Sequence, residues 1–60
     1  MIYRILNENG VELDVYSCNA HRCMQAVMLE EYLEDNDYAI VGTTPNSAFT
    51  EIAVTVRPTA

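Results

Sequence analysis

Sixty residues read as a single domain spanning 1–60, near the lower limit for independent folding, where a chain buries only about 60% of its unfolded surface. Half the residues are hydrophobic, which places the chain with globular rather than disordered sequences. Three arginines, no lysine and nine carboxylates give a net charge of −6, which argues against nucleic acid or anionic membrane as a ligand and suits attraction to basic surfaces.

No apolar run approaches the roughly 20 residues that span a bilayer. The start, Met1-Ile2-Tyr3-Arg4, lacks the basic start, long apolar run and small-residue cleavage site of a signal peptide. The expected location is cytoplasmic, and there Cys18 and Cys23 are expected to be thiols.

Residues 2–7 and 11–16 are strand-like and joined by a turn ending in Asn9-Gly10. A two-residue Asn9-Gly10 loop sets Arg4 opposite Val15 and Ile5 opposite Asp14, mixing charge and hydrocarbon on both faces. A three-residue loop, Glu8-Asn9-Gly10 with Gly10 left-handed, pairs Asn7 with Val11, Ile5 with Leu13 and Tyr3 with Val15. It gathers Tyr3, Ile5, Val11, Leu13 and Val15 on one face and sets Arg4 beside Asp14 on the other, so this register is expected. The outer face still carries Ile2, Leu6 and Tyr16.

Asn19 to Asn36 reads as a helix, with Asn19 or Ser17 as N-cap and Asn36 left-handed at its end. Ala20, Cys23, Met24, Val27 and Met28 form a stripe at helical spacing that is expected to face the sheet. Ala26, Leu29 and Leu33 lie on another side, free for a subunit or partner contact, or for burial beneath a loop. Residues 38–43 are apolar on both faces and read as a central strand. Thr44-Pro45-Asn46-Ser47 is a turn, and residues 48–57 alternate with Ile52, Val54 and Val56 on one side.

The expected fold class is α+β: a two-layer β-β-α-β-β sandwich. Its four-stranded antiparallel sheet, order 2-1-3-4, carries one helix on one face and leaves the other face open.

Cys18, His21 and Cys23 lie within six residues and are zinc-ligand types, but no further His or Cys completes a set, so no metal and no cofactor is expected. A thiol near a helix N-terminus is activated, yet nothing in the sequence positions Cys18 for catalysis. Two glycines make no phosphate cradle, and His21 lacks a nucleophile partner. The chain is not expected to be an enzyme.

The informative cluster is Glu30, Glu31, Glu34, Asp35 and Asp37, five of the nine acids, around the C-terminal turn of the helix. The helix dipole is negative there, so each carboxylate costs about 0.3–1 kcal/mol. Glu30–Glu34 and Glu31–Asp35 are also like-charge pairs four residues apart. His21 and Arg22 sit at the opposite, positive end. Solubility alone accounts for such acids in a bland reading. In the sharper one they dock on a basic surface of a larger protein, with Tyr32 and Tyr38 as flanking aromatic anchors.

Several segments carry a resemblance: Tyr3-x-Ile5, the Asn9-Gly10 turn, Val11-x-Leu13-x-Val15-Tyr16, Ala20-x-x-Cys23-Met24-x-x-Val27, and Tyr38-Ala39-Ile40-Val41. In layout, size and charge this resembles the small acidic proteins that phages make early in infection, including anti-CRISPR proteins and phage inhibitors of bacterial RNA polymerase. The resemblance implies a non-enzymatic inhibitor that blocks a host protein in the host cytoplasm, and it transfers no functional residue. The rival expectation is a self-associating structural or assembly protein, a homodimer using the Ala26/Leu29/Leu33 stripe or the open sheet face with Ile2, Leu6 and Tyr16.

Overall fold

Tyr3 and Ile5 point inward from the first strand while Ile2 and Arg4 point out, and this alternation anchors the sheet. A computed structural model describes residues 1–59, with Arg22 in its backbone only. The elements run β1 (Ile2–Leu6), β2 (Glu12–Ser17), α1 (Arg22–Asp35), β3 (Tyr38–Pro45) and β4 (Glu51–Pro58). One helix lies on a four-stranded sheet, as the pattern implied. The buried cluster is Tyr3, Ile5, Cys18, Leu29, Leu33, Val54 and Val56.

The strand order is β2-β1-β4-β3, and the sheet is mixed: the two hairpins are antiparallel, but β1 and β4 run parallel. This corrects the all-antiparallel order 2-1-3-4. Burial explains the exchange. β4 supplies Val54 and Val56, both fully buried, and so takes the centre beside Tyr3 and Ile5. β3 was expected at the centre because it is apolar on both faces; it lies at the edge with Ile40 and Val41 exposed. The connection from β2 to β3 must then cross the whole sheet. A 14-residue helix spans about 21 Å, enough for three strand spacings of about 4.8 Å each.

The first turn forms as expected. The Asn7 N–H donates to the Val11 carbonyl at 2.9 Å, the Gly10 N–H donates to Asn7 at 3.0 Å, and Gly10 is left-handed at φ 82°. Beyond it, one extra residue on β2, Leu13, enters a bulge, so that Leu6 pairs with Glu12 but Ile5 pairs with Asp14. From there Arg4 lies opposite Val15 and Tyr3 opposite Tyr16, which corrects the expected pairing of Ile5 with Leu13, Tyr3 with Val15 and Arg4 with Asp14. Side-chain contacts decide the register. Tyr16 stacks between Tyr3 and Tyr32, with ring centroids at 6.2 and 4.4 Å, and such pairs contribute about 0.5–1.5 kcal/mol beyond burial. Arg4 meanwhile reaches Glu12 at 2.7 Å and Glu51 at 3.1 Å on the open face. The cost is that Val11, Leu13 and Val15 stay exposed.

The helix starts later than expected, with His21 rather than Asn19 or Ser17 as N-cap. At its end Asn36 has φ −101° and Asp37 takes the left-handed position at φ 59°. The Asn36 N–H and side-chain amide both donate to the Tyr32 carbonyl, at 3.2 and 2.8 Å, and the Asp37 N–H donates to Glu34 at 3.1 Å. The two stripes exchange roles except at their alanines: Ala20 packs against the core as expected, and Ala26 is exposed. Leu29 and Leu33 are buried in the core, while Cys23, Met24, Val27 and Met28 face solvent. Leu29 and Leu33, one turn apart, join Ile5, Val54 and Val56 in one buried cluster. Cys18, in the connection after β2, fills the core at 1% exposure, and Cys23, expected to face the sheet, is exposed.

The second hairpin turns at Asn46–Thr50 rather than Thr44–Ser47. The Asn46 carboxamide oxygen accepts from the N–H groups of Thr50 and Glu51 at 2.9 and 3.3 Å. Phe49 there adopts a left-handed φ of 57° with 70% of its surface exposed.

Candidate binding surface

Glu30, Glu31, Glu34, Asp35 and Asp37 are all exposed. No basic residue occupies the last turn of α1. The ion pairs found among the described residues belong to Arg4, with Glu12 and Glu51, and those two carboxylates hold the guanidinium far above its ordinary range, Glu51 first. The acidic cluster is therefore not neutralised by Arg4, and its field is directed to solvent.

Helical geometry adds what spacing in the sequence did not. With about 100° between successive residues, and Leu29 and Leu33 turned to the sheet, the outward side carries Met24, Val27 and Met28, then Glu31, Glu34 and Asp35. Glu30 lies on the flank. The face that looks away from the core is apolar in its first half and acidic in its second, over about 16 Å. The sequence reading missed the apolar half because it assigned that stripe to the sheet. The available signal was Leu29 and Leu33, the two leucines of the helix, four residues apart.

Tyr32 and Tyr38 sit differently from the acids. Both are half-buried and pack against the core cluster. Tyr32 stacks on Tyr16, nearly parallel at 8°, and its hydroxyl donates to Oδ2 of Asp14. Burial, then the Asp14 carboxylate, pushes the Tyr32 phenol up to about 12. The same contact, with the Val15 N–H, holds Asp14 below the usual carboxylate range. Tyr32 ties the helix to β2, and the exposed apolar groups beside the acids are the methionines and Val27.

Across the molecule, the open sheet face carries Arg4 and its two carboxylates beside the exposed Ile2 and Val15. The Ala26/Leu29/Leu33 stripe has its leucines in the core. Of the two surfaces expected for self-association, the helix stripe thus has its leucines occupied, and the sheet face is mixed, with Tyr16 turned to the helix side.

His21 Nδ1 lies 3.2 Å from Cys23 Sγ, with both residues exposed, and Cys18 is apart from them in the core. No group of three or more His, Cys, Asp and Glu side chains that could hold a metal occurs among the described residues. The open cleft between Met1, Ser17, Gln25 and Phe49 is lined by no carboxylate, imidazole or thiol among the described residues. No helix among them is long and apolar enough to cross a membrane. Comparison with protein-family models, with curated proteins and with solved structures finds no match.

Proposed function

We propose that this protein is a non-enzymatic acidic binding module, an inhibitor of the phage type, that occupies a basic, nucleic-acid-binding surface of a larger host protein. The observation that carries the reading is the placement of Glu31, Glu34 and Asp35: exposed, away from Arg4, and at the helix end whose dipole repels them. Met24, Val27 and Met28 on the same side supply the apolar contact that carboxylates alone lack. A helix laid into a groove is a common recognition mode, and charge around an apolar anchor steers and orients it. A CRISPR–Cas effector and bacterial RNA polymerase are the partner classes that the resemblance suggests.

The test is binding of the purified protein to each of those two assemblies at low and moderate salt. Glu31→Gln with Glu34→Gln is expected to weaken the complex and flatten its salt dependence. Affinity that neither salt nor these substitutions alter rules the reading out.

A further inference from the structure

β2 is an edge strand whose outward backbone groups can be identified. Met1 and Cys18 exchange both hydrogen bonds, the Cys18 N–H to Met1 at 2.9 Å and the Met1 amine to Cys18 at 3.1 Å. Bonded pairs alternate along an antiparallel ladder. Tyr16 and Asp14 therefore face β1, while Ser17 and Val15 present their backbone N–H and C=O groups outward. The Val15 N–H does have a partner: Oδ1 of Asp14, at 2.8 Å. The other oxygen of that carboxylate is held by the Tyr32 hydroxyl.

An unpaired edge with exposed hydrocarbon is a template for another strand, and a second copy of β2 is the occupant that fits. Antiparallel pairing centred on Val15 places Val15 against Val15, Leu13 against Ser17 and Asp14 against Tyr16, with no carboxylates opposed. Glu12 is already paired with Arg4. The other surfaces are less suited to a second copy. Two helices laid antiparallel would put Met24 against the partner's Glu34 and Asp35, and laid parallel they would put acids on acids. The opposite edge, β3, ends in Pro45, which has no N–H to donate. In the Val15-centred pair, both bonds of the central ring use a Val15 N–H, one from each copy.

We propose that Asp14 is an edge guard: by occupying the Val15 N–H, and itself fixed by Tyr32, it keeps two copies from joining their sheets through β2. The guard does not rest on the acidic docking surface: it lies on β2 and on the Tyr32 flank of the helix. Removing the Asp14 carboxylate opens the edge, and the chain dimerises through it.

Sedimentation of the full chain tests this. The wild type is expected to be monomeric on this edge and Asp14→Ala dimeric, with the added Val15→Pro restoring the monomer because it deletes the central donor. A monomeric Asp14→Ala, or a dimer that Val15→Pro leaves intact, overturns the proposal. So does a wild type that already dimerises through β2. A measurement on the wild type alone decides the matter if the variants do not fold. Hydrogen exchange at the Val15 amide is expected to be about tenfold slower than at Ser17, as a bond to a charged acceptor implies. Equal rates refute the guard.

Discussion

The hydroxyl of Tyr32, on the helix, donates to Oδ2 of Asp14, on the edge strand β2, and so joins two elements 18 residues apart. The Tyr32 ring lies flat on Tyr16, which in turn stacks on Tyr3. An ionised carboxylate and a protonated phenol favour each other, so this pair makes stability depend on pH at both extremes. Asp14 has a lowered value in the folded state. Its contribution is present above its ordinary value near 4 and is lost as pH falls through the folded value. Tyr32 is raised to about 12, so its contribution is complete below its ordinary value near 10 and is lost as pH rises from there to about 12. Denaturant melts across pH should show both declines. Tyr32→Phe, which keeps the stack and removes the donor, should flatten the alkaline decline and shift the acid one toward the ordinary aspartate range.

The two helix stripes give a sharper contrast. Leu33 is 2% exposed and packs with Ile5, Val54 and Val56, whereas Val27 is 45% exposed. Leu33→Ala should cost about 2–5 kcal/mol. A 60-residue chain has only about 3–9 kcal/mol in all, so the variant should lose roughly half its stability, read as a much lower denaturant midpoint by circular dichroism. Val27→Ala should change stability by less than about 0.5 kcal/mol. The opposite ranking would restore the assignment of the Met24/Val27/Met28 stripe to the sheet.

How far the fold was legible can be judged from these same residues. The element order, the Asn7–Val11 turn with left-handed Gly10 and the inward set Ile52, Val54 and Val56 follow from alternation and turn chemistry, which are local. The bulge at Leu13 is not local. It arises because Tyr16 finds Tyr3 on β1 and Tyr32 on the helix, contacts remote in the sequence. A one-residue slip then moves Asp14 and Tyr16 to the helix side and Val15 to the open face. The strand order failed for a related reason. An apolar run such as 38–43 is compatible with a centre or an edge, and only competition with the buried valines of β4 places it. Of the candidate site, the acids were legible as a charge pattern. The apolar half of their face was hidden, because its stripe is also what a core-facing helix would show.

Phe49 occupies a conformation that glycine or asparagine adopts more readily, at φ 57°, while 70% of its surface lies in solvent. The left-handed region costs a residue with a bulky side chain about 1–2 kcal/mol, and little burial offsets it. Phe49→Asn should therefore raise stability by up to about 1 kcal/mol, visible as a higher melting temperature. A lower one would mean that the aromatic ring makes a contact in solution that outweighs the strain.

The acidic cluster makes the remaining prediction, in which stability and binding move in opposite directions. Glu31 and Glu34 lie in the last turns of α1, where the helix carbonyls already present negative charge and no basic side chain follows. Neutralising either one removes repulsion from the dipole, and Glu34→Gln also relieves the Glu30 pair one turn away. Each substitution should stabilise the fold by a few tenths of a kcal/mol, with the gain shrinking as salt screens it. If the cluster serves solubility alone, partner binding should not change. If it serves docking, the same variants should melt higher and bind more weakly, the usual sign of residues held against local stability for function. Thermal melts and binding isotherms on one set of proteins separate the cases. Variants that neither gain stability nor lose affinity would show that the dipole and the partner are both indifferent to these charges.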